Sequence, residues 1–222
     1  MKAVIIGANR GIGLGLVKQY IKNGWEVWAV CRSQSEELEA LRSKTGLRIL
    51  SGIDVSKEQD RQQLRAALPE RIDQLIHNAG ILRRDSLMMV DETAIVEQFM
   101  INALSPLQTI QQVYTKMNKN GKIGIMTSRM GSIADNTSGG MYGYRMSKAA
   151  VNMAGKSLAE DLRGAKIGVY LLHPGFVQTD MTGGNGYITV QQSASGLYER
   201  MQELRLEQTG TFWHTDGTQL TW

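Results

Sequence analysis

The chain has 222 residues, of which 42% are hydrophobic and 21% charged, as in an ordinary soluble globule. Its net charge is +4, and the basic residues are scattered with no run longer than Arg83-Arg84, so we expect no nucleic-acid partner. No stretch approaches the roughly 18 apolar residues that indicate a membrane span, and the single cysteine, Cys31, excludes an internal disulfide.

We therefore expect one cytoplasmic domain over residues 1–222, with no membrane segment. A signal peptide is not expected, because glycines interrupt the apolar start of the chain. No metal site is expected either, because the three histidines lack the spacing of ligands. They are His77, His173 and His214.

A glycine-rich loop opens the chain between a predicted strand and a predicted helix. Residues 3–6 form a short apolar run typical of a buried parallel strand, and apolar residues recur at helical spacing over residues 14–21. Three glycines at this spacing are a weak signal by themselves, but between a strand and a helix they predict nucleotide binding. They would let the backbone approach a pyrophosphate at the helix N-terminus. The loop reads Gly7, Ala8, Asn9, Arg10, Gly11, Ile12 and Gly13.

The end of the second predicted strand, residues 25–30, bears on the choice of dinucleotide. A fold that prefers NAD usually places an acid here for the ribose 2′-hydroxyl, but none occurs before Glu36. Arg32, together with Arg10, would suit a 2′-phosphate instead. We expect NADP(H) to be preferred, with NAD(H) possible; the alternative is that both arginines are simply solvated.

Further strands and helices alternate along the rest of the chain. Helices are predicted over residues 35–44, 57–68, 93–117, 141–163 and 190–206, and strands over residues 48–53, 72–77, 122–126, 167–172 and 211–213. This alternation predicts an α/β fold: a single Rossmann-type, doubly wound parallel sheet of about seven strands with helices on both faces.

Polar residues stand at several points where such a fold binds ligands. Ser128 follows strand 122–126 at its carboxyl end, where open α/β sheets bind ligands. Asn102 lies within helix 93–117, where asparagine is unfavourable, so it either caps a break before Pro106 or serves a site. Glycines within residues 176–190 are compatible with a mobile lid.

Tyr144 and Lys148 lie four residues apart in the predicted helix 141–163 and would share one of its faces. A free tyrosine has a pKa of about 10, and a nearby ammonium lowers it. The pair would then donate and accept a proton near neutral pH, as the reduction of a carbonyl or the oxidation of an alcohol requires. The alternative is a packed tyrosine beside a solvated lysine.

Taken in order, these motifs resemble the short-chain dehydrogenase/reductase family over residues 3 to about 180. They are Gly7-x-x-x-Gly11-x-Gly13, Asn78-Ala79-Gly80, Asn102, Ser128, Tyr144-x-x-x-Lys148 and Pro174-Gly175. The ending, from Phe212-Trp213 to Trp222, resembles the branch that contains C-factor and sniffer-type carbonyl reductases.

The resemblance implies a role for each matching residue. Tyr144 would be the acid/base, and Lys148 would lower its pKa and hold the nicotinamide ribose. Ser128 would bind the substrate oxygen, and Asn102 would hold a water in a proton relay. Asp54 would contact the adenine amine and Thr179 the carboxamide. The residues expected to bind the dinucleotide are Gly7, Asn9, Arg10, Gly11, Ile12, Gly13, Arg32, Asp54, Val55, Asn78, Ala79, Gly80, Tyr144, Lys148, Pro174, Gly175, Val177 and Thr179.

Two features depart from the family pattern. Ser128 and Tyr144 are 16 positions apart, where about 13 is usual, so we expect the polar loop 131–140 to bulge and leave the site intact. His77 stands where the family more often has asparagine, and we expect little consequence. The family also implies a homodimer or homotetramer formed through helices 93–117 and 141–163.

The leading hypothesis is an NADP(H)-dependent oxidoreductase that interconverts a carbonyl and an alcohol on a small molecule. The second hypothesis is a nucleotide-bound, C-factor-like signalling or interaction protein with little turnover. Within the predicted lid, apolar residues favour an apolar or aromatic carbonyl as the substrate. These residues are Phe176, Val177, Met181 and Tyr187.

Overall fold

The computed structural model describes residues 1–222, and a single eight-stranded sheet forms its centre. The strands are β1 (Lys2–Ile6), β2 (Glu26–Val30), β3 (Leu47–Leu50), β4 (Ile72–His77), β5 (Met117–Met126), β6 (Gly168–His173), β7 (Thr211–His214) and β8 (Gln219–Leu220). Their order is β3-β2-β1-β4-β5-β6-β7-β8, and every neighbouring pair is parallel except β7 and β8.

Seven α-helices cover the two faces of the sheet. They are α1 (Gly11–Lys22), α2 (Glu36–Glu39), α3 (Glu58–Ala67), α4 (Glu92–Phe99), α5 (Ser105–Val113), α6 (Tyr142–Asp161) and α7 (Val190–Glu203). Successive strand residues point to opposite faces, so Val4 and Ile6 join the core under α3, α5 and α6, whereas Ala3 and Ile5 join the core under α1 and α7. The expected doubly wound, Rossmann-type sheet is thus confirmed.

The order in which strands are added to the sheet reverses between β1 and β4, although these two strands are parallel. From β1 it runs outward to β2 and β3, then returns to β4 on the other side of β1 and continues to β8. The carboxyl ends of the parallel strands meet along one edge, and the crevice at such a switch point is where open α/β sheets bind ligands. None of the helices combines the length and the apolar character that a membrane span requires.

Several predicted boundaries were wrong. The predicted helix 35–44 is helical only over Glu36–Glu39, and the predicted strand 48–53 ends at Leu50. The predicted helix 93–117 is divided by a π-helical turn, Met100–Leu104, and β5 already begins at Met117. The two-residue strand β8 is additional to the expected seven. It is too short to show a period-2 pattern in the sequence.

Helices α4 and α6 pack against each other and leave apolar side chains exposed. These are Val96, Phe99, Met146 and Met153, on the two helices expected to join copies of the chain. The homodimer or homotetramer stays a prediction, which light scattering of the purified protein in solution would test.

Candidate active site

The glycine loop between β1 and α1 is packed against the segment that follows β4. Asn78 donates a hydrogen bond from Nδ2 to the carbonyl of Gly7 at 3.0 Å. Gly7 has φ +79°, and a Cβ there would lie 2.8 Å from the backbone nitrogen of Ala79. At Gly13, a Cβ would lie 1.9 Å from the oxygen of Gly7. The loop therefore closes only with glycine at these two positions. The first backbone N–H groups of α1 have no partner within the helix, and Arg10 before it makes no capping hydrogen bond.

A cleft of about 1240 Å³ runs along the carboxyl edge of the sheet beside this loop. Twelve of the residues expected to bind a dinucleotide line it: Gly7, Asn9, Arg10, Gly11, Ile12, Arg32, Asp54, Val55, Asn78, Ala79, Gly80 and Thr179. The other six lie outside its lining: Gly13, Tyr144, Lys148, Pro174, Gly175 and Val177. Sequence reasoning missed further lining residues, including Ser35, Ile81 and Gln178, which carry no motif of their own.

The charged residues of the cleft are arranged differently from the expectation. Arg10 pairs with Asp180 at 2.9 Å through exposed side chains, so it bridges the glycine loop and the segment after β6. Arg32 lines the cleft beside Asp54. Partial burial raises the pKa of Asp54, but hydrogen bonds from Ser56 and the charges of Arg32 and Lys57 outweigh it and lower the pKa.

The π-helical turn directs Asn102 into the protein. Its Oδ1 accepts from the backbone N–H of Ile81 at 2.8 Å, and its Nδ2 donates to the Ile81 carbonyl at 2.8 Å and to Ser147 Oγ at 3.0 Å. The side chain thus joins the segment after β4 to α6. Both N–H groups of the amide are therefore used within the protein. A role of Asn102 in holding a relay water stays a prediction.

Ser128, Tyr144 and Lys148 come together at the ends of β5 and α6. Lys148 is buried and donates from Nζ to the Met126 carbonyl at 3.0 Å, and its Nζ lies 5.7 Å from the centroid of the Tyr144 ring. The side chain of Tyr144, which is only 8% exposed, lies beside Ser128. The four-residue spacing thus places the Lys148 ammonium and the Tyr144 ring on the same side of α6, as expected.

The extra residues between Ser128 and Tyr144 bulge outward, as the sequence indicates. Ile133 at the bulge is 80% exposed. Arg145 fastens the loop by donating to the Gly140 carbonyl at 3.1 Å and to Ser138 Oγ at 2.8 Å. The bulge therefore leaves the contact between Ser128 and Tyr144 in place.

Burial dominates the protonation of the site. It raises the pKa of Tyr144 to about 12, against a smaller lowering by the neighbouring hydroxyl of Ser128, and it lowers the pKa of Lys148 to about 8. Burial is thus the largest effect on the pKa of Tyr144 and acts against the lowering expected from Lys148. His77 is buried beside Lys148 with both ring nitrogens unpartnered, and burial followed by the Lys148 charge lowers its pKa to about 3. Tyr144 is a protonated phenol at neutral pH, suited to donating a proton.

Comparison with known proteins decides the family. Residues 1–186 match the family described as short chain dehydrogenase. The chain belongs to this family. It is 40% identical over 226 aligned positions to the 1-hydroxy-2-glutathionyl-2-methyl-3-butene dehydrogenase of Rhodococcus sp. (strain AD45), covering 99% of this chain and 98% of that protein. It is also 40% identical over 154 positions to the C-signal protein of Myxococcus xanthus, covering 68% of this chain and 93% of that protein.

Two solved structures of carbonyl reductases superpose on the whole chain. The NADPH-bound carbonyl reductase from chicken fatty liver has a TM-score of 0.92 at 27% identity and covers 100% of this chain and 98% of its own. The carbonyl reductase Sniffer of D. melanogaster has a TM-score of 0.92 at 30% identity, covering 100% and 99%. Family membership and these neighbours support an NAD(P)-dependent oxidoreductase.

The protonation of Tyr144 gives a first prediction. Because its pKa of about 12 keeps the phenol protonated, we expect no tyrosinate from Tyr144 between about pH 7 and about pH 10. The measurement is the phenolate absorbance of the parent minus that of Tyr144→Phe during a pH titration. A tyrosinate signal centred near neutral pH, present only in the parent, would contradict the assigned effect of burial.

Proposed function

We propose that the protein reduces a carbonyl group of a small molecule with NADP(H), and catalyses the reverse oxidation, with Tyr144 as the acid/base. The observation that carries this proposal is the cluster of Ser128, buried Tyr144 and buried Lys148 at the end of β5, where Lys148 Nζ lies close to Gly80 of the cleft. A binding module has no need of a phenol and an ammonium buried together at such a point.

The cleft has the features that a dinucleotide requires. Glycine at positions 7 and 13 lets the backbone of the loop pack closely against Asn78-Ala79 and against itself, and the N–H groups at the start of α1 would bind a pyrophosphate. Residues that follow β2, β4 and β6 would hold the remainder: Arg32, Asn78, Ala79, Gly80 and Thr179. When bound, NADP(H) supplies or takes the hydride.

The residues of the chain then handle the oxygen and the proton. Ser128 would donate a hydrogen bond to the substrate oxygen, and the Tyr144 hydroxyl would give its proton to that oxygen as negative charge develops there. The ammonium of Lys148 would stabilise the tyrosinate that remains, since a nearby positive charge favours the ionised phenol. In the reverse direction the tyrosinate accepts the proton of the alcohol.

This assignment predicts the behaviour of Tyr144→Phe, which keeps the ring and removes the proton donor. We expect kcat for carbonyl reduction to fall by roughly 10² to 10⁴, the usual contribution of general acid/base catalysis. Tyr142→Phe is the matched control, because it removes a hydroxyl two residues earlier in the same helix and should leave kcat unchanged. A Tyr144→Phe variant as fast as the parent would exclude the mechanism.

The preference for NADP(H) rests chiefly on Arg32. It lines the cleft at the end of β2, near the position of the ribose 2′ group in Rossmann folds, and no acid at 31–33 is present to bind a hydroxyl. Arg10 would first have to leave Asp180 to join it. A charge-assisted hydrogen bond from Arg32 to a 2′-phosphate is worth about 1.5 to 3 kcal/mol, a preference of roughly tenfold to a hundredfold.

We therefore expect the parent to show a higher kcat/KM with NADPH than with NADH, and Arg32→Asp to lose or reverse the preference. Arg48→Asp is the control with the same change of charge, since Arg48 lies on β3, pairs with Glu26 at 3.0 Å and does not line the cleft. Equal use of both cofactors by the parent, unchanged in Arg32→Asp, would show that Arg32 does not bind the phosphate.

An apolar or aromatic carbonyl is the proposed substrate. The segment after β6 folds back on itself where Tyr187 donates its backbone N–H to the Phe176 carbonyl at 2.8 Å, and the two rings pack edge to face. Both rings are exposed, and Met181 of the same segment lines the cleft. A screen of aldehydes, ketones and quinones tests this, and a preference for highly charged substrates would contradict it.

A second candidate function has one observation in its favour, the similarity to the C-signal protein of Myxococcus xanthus. A nucleotide-bound signalling protein would turn over no carbonyl compound, and its partner would bind equally well to the parent and to Tyr144→Phe. The buried Tyr144–Lys148 pair favours the reductase.

A further inference from the structure

The catalytic helix α6 starts without a capping residue of its own. The residue before it, Met141, has a left-handed backbone with φ 54° and ψ 42°, and its side chain makes no capping hydrogen bond. The first N–H groups of a helix have no partner within the helix and need acceptors from elsewhere. Here they lie immediately before Tyr144, so the acceptor that satisfies them also determines where the first turn sits.

Asp85 supplies these acceptors from the loop after β4. Its Oδ1 accepts from the backbone N–H of Tyr142 and its Oδ2 from that of Gly143 at 2.8 Å, while its own carbonyl accepts from Met141 at 3.2 Å. A carboxylate at a helix N-terminus is also favoured by the helix dipole. A Cβ at Gly143 would lie 3.2 Å from Oδ2 and 2.5 Å from Gln98 Nε2, so glycine permits this close contact.

The loop that carries Asp85 is itself fixed to the body of the protein. Asn102 binds both the N–H and the carbonyl of Ile81, and the Oε1 atom of fully buried Gln98 accepts from the backbone N–H of Arg83 at 2.8 Å. Because its loop is held by Asn102 and Gln98, Asp85 gives the start of α6 a fixed point of attachment. It ties the start of α6 to α4 and to the π-helical turn.

We infer that Asp85 is a positioning residue for the reaction: it holds the first turn of α6 so that the Tyr144 hydroxyl meets Ser128. This inference rests on the proposed function of Tyr144. Tyr144 follows Gly143 directly, so fraying of this turn would displace the phenol from Ser128. A displacement of about 1 Å in a catalytic group can cost about a hundredfold in rate.

Three variants test the inference. Asp85→Ala removes both side-chain acceptors, and Asp85→Asn keeps the shape with one acceptor. Asp91→Ala removes another helix cap from the same region, since Asp91 Oδ1 accepts from Ala94 at 3.1 Å at the start of α4. For each, an NADPH fluorescence titration gives the concentration of folded sites, so that kcat is expressed per site, and the melting temperature is recorded.

We expect kcat per site to fall roughly tenfold to a hundredfold in Asp85→Ala, with NADPH affinity and KM for the carbonyl changed little. Asp85→Asn should lie between Asp85→Ala and the parent. Asp91→Ala should lower the melting temperature comparably, as loss of a cap does, yet keep the parental kcat. A purely structural role for Asp85 would reduce the number of folded sites and leave kcat per site unchanged.

Three results would overturn the inference. The first is parental kcat per site in Asp85→Ala, and the second is an equal loss of kcat per site in Asp85→Ala and Asp91→Ala. If Asp85→Ala does not fold, the third is parental kcat per site in Asp85→Asn. Tyr144→Phe, assayed alongside, separates the two levels of the account. If it keeps the parental rate, the proposed function fails; if it is slow while Asp85→Ala is fast, only the role of Asp85 fails.

Discussion

The hydrogen bond from the buried ammonium of Lys148 to the Met126 carbonyl is the constraint on which the site depends. A buried ammonium is costly unless it is hydrogen-bonded, so this contact holds α6 against the end of β5. The turn after β5 packs on the same residue, because a Cβ at Gly131 would lie 2.6 Å from the carbonyl carbon of Lys148. Ser128 and Tyr144 are thereby brought together from two elements of the fold.

The burial of Tyr144 and Lys148 also determines their protonation states. In this environment the pKa of Tyr144 is raised to about 12 and that of Lys148 is lowered to about 8, so at neutral pH the phenol is protonated and the lysine still charged. That combination favours proton donation to a substrate oxygen, the direction of carbonyl reduction. On the other side of the site, Asn102 bonds Ile81 and Ser147 and so fixes α6 relative to the cleft.

Much of this arrangement is local in sequence and could be predicted. A strand, a glycine loop and a helix at residues 3–21 form as expected, and so does the helical pair Tyr144 and Lys148. The sequence suggests a break between Asn102 and Pro106, but the π-helical form of that break was not predicted, because a single such turn has no sequence pattern of its own. The effect of burial on the pKa of Tyr144 was also missed, since it depends on neighbours that sequence spacing does not reveal. Asp85 lies 57 residues before Tyr142 and 58 before Gly143, whose N–H groups it binds, so no local pattern connects them.

The central claim is that Tyr144 and Lys148 act as one unit, and a double-mutant cycle tests it most directly. It compares kcat for carbonyl reduction at saturating NADPH in the parent, Tyr144→Phe, Lys148→Met and the double variant. Residues that act together have strongly non-additive effects, so the double variant should be no slower than Tyr144→Phe, within about twofold. If the two losses instead multiply, the lysine acts independently of the tyrosine and the account is contradicted.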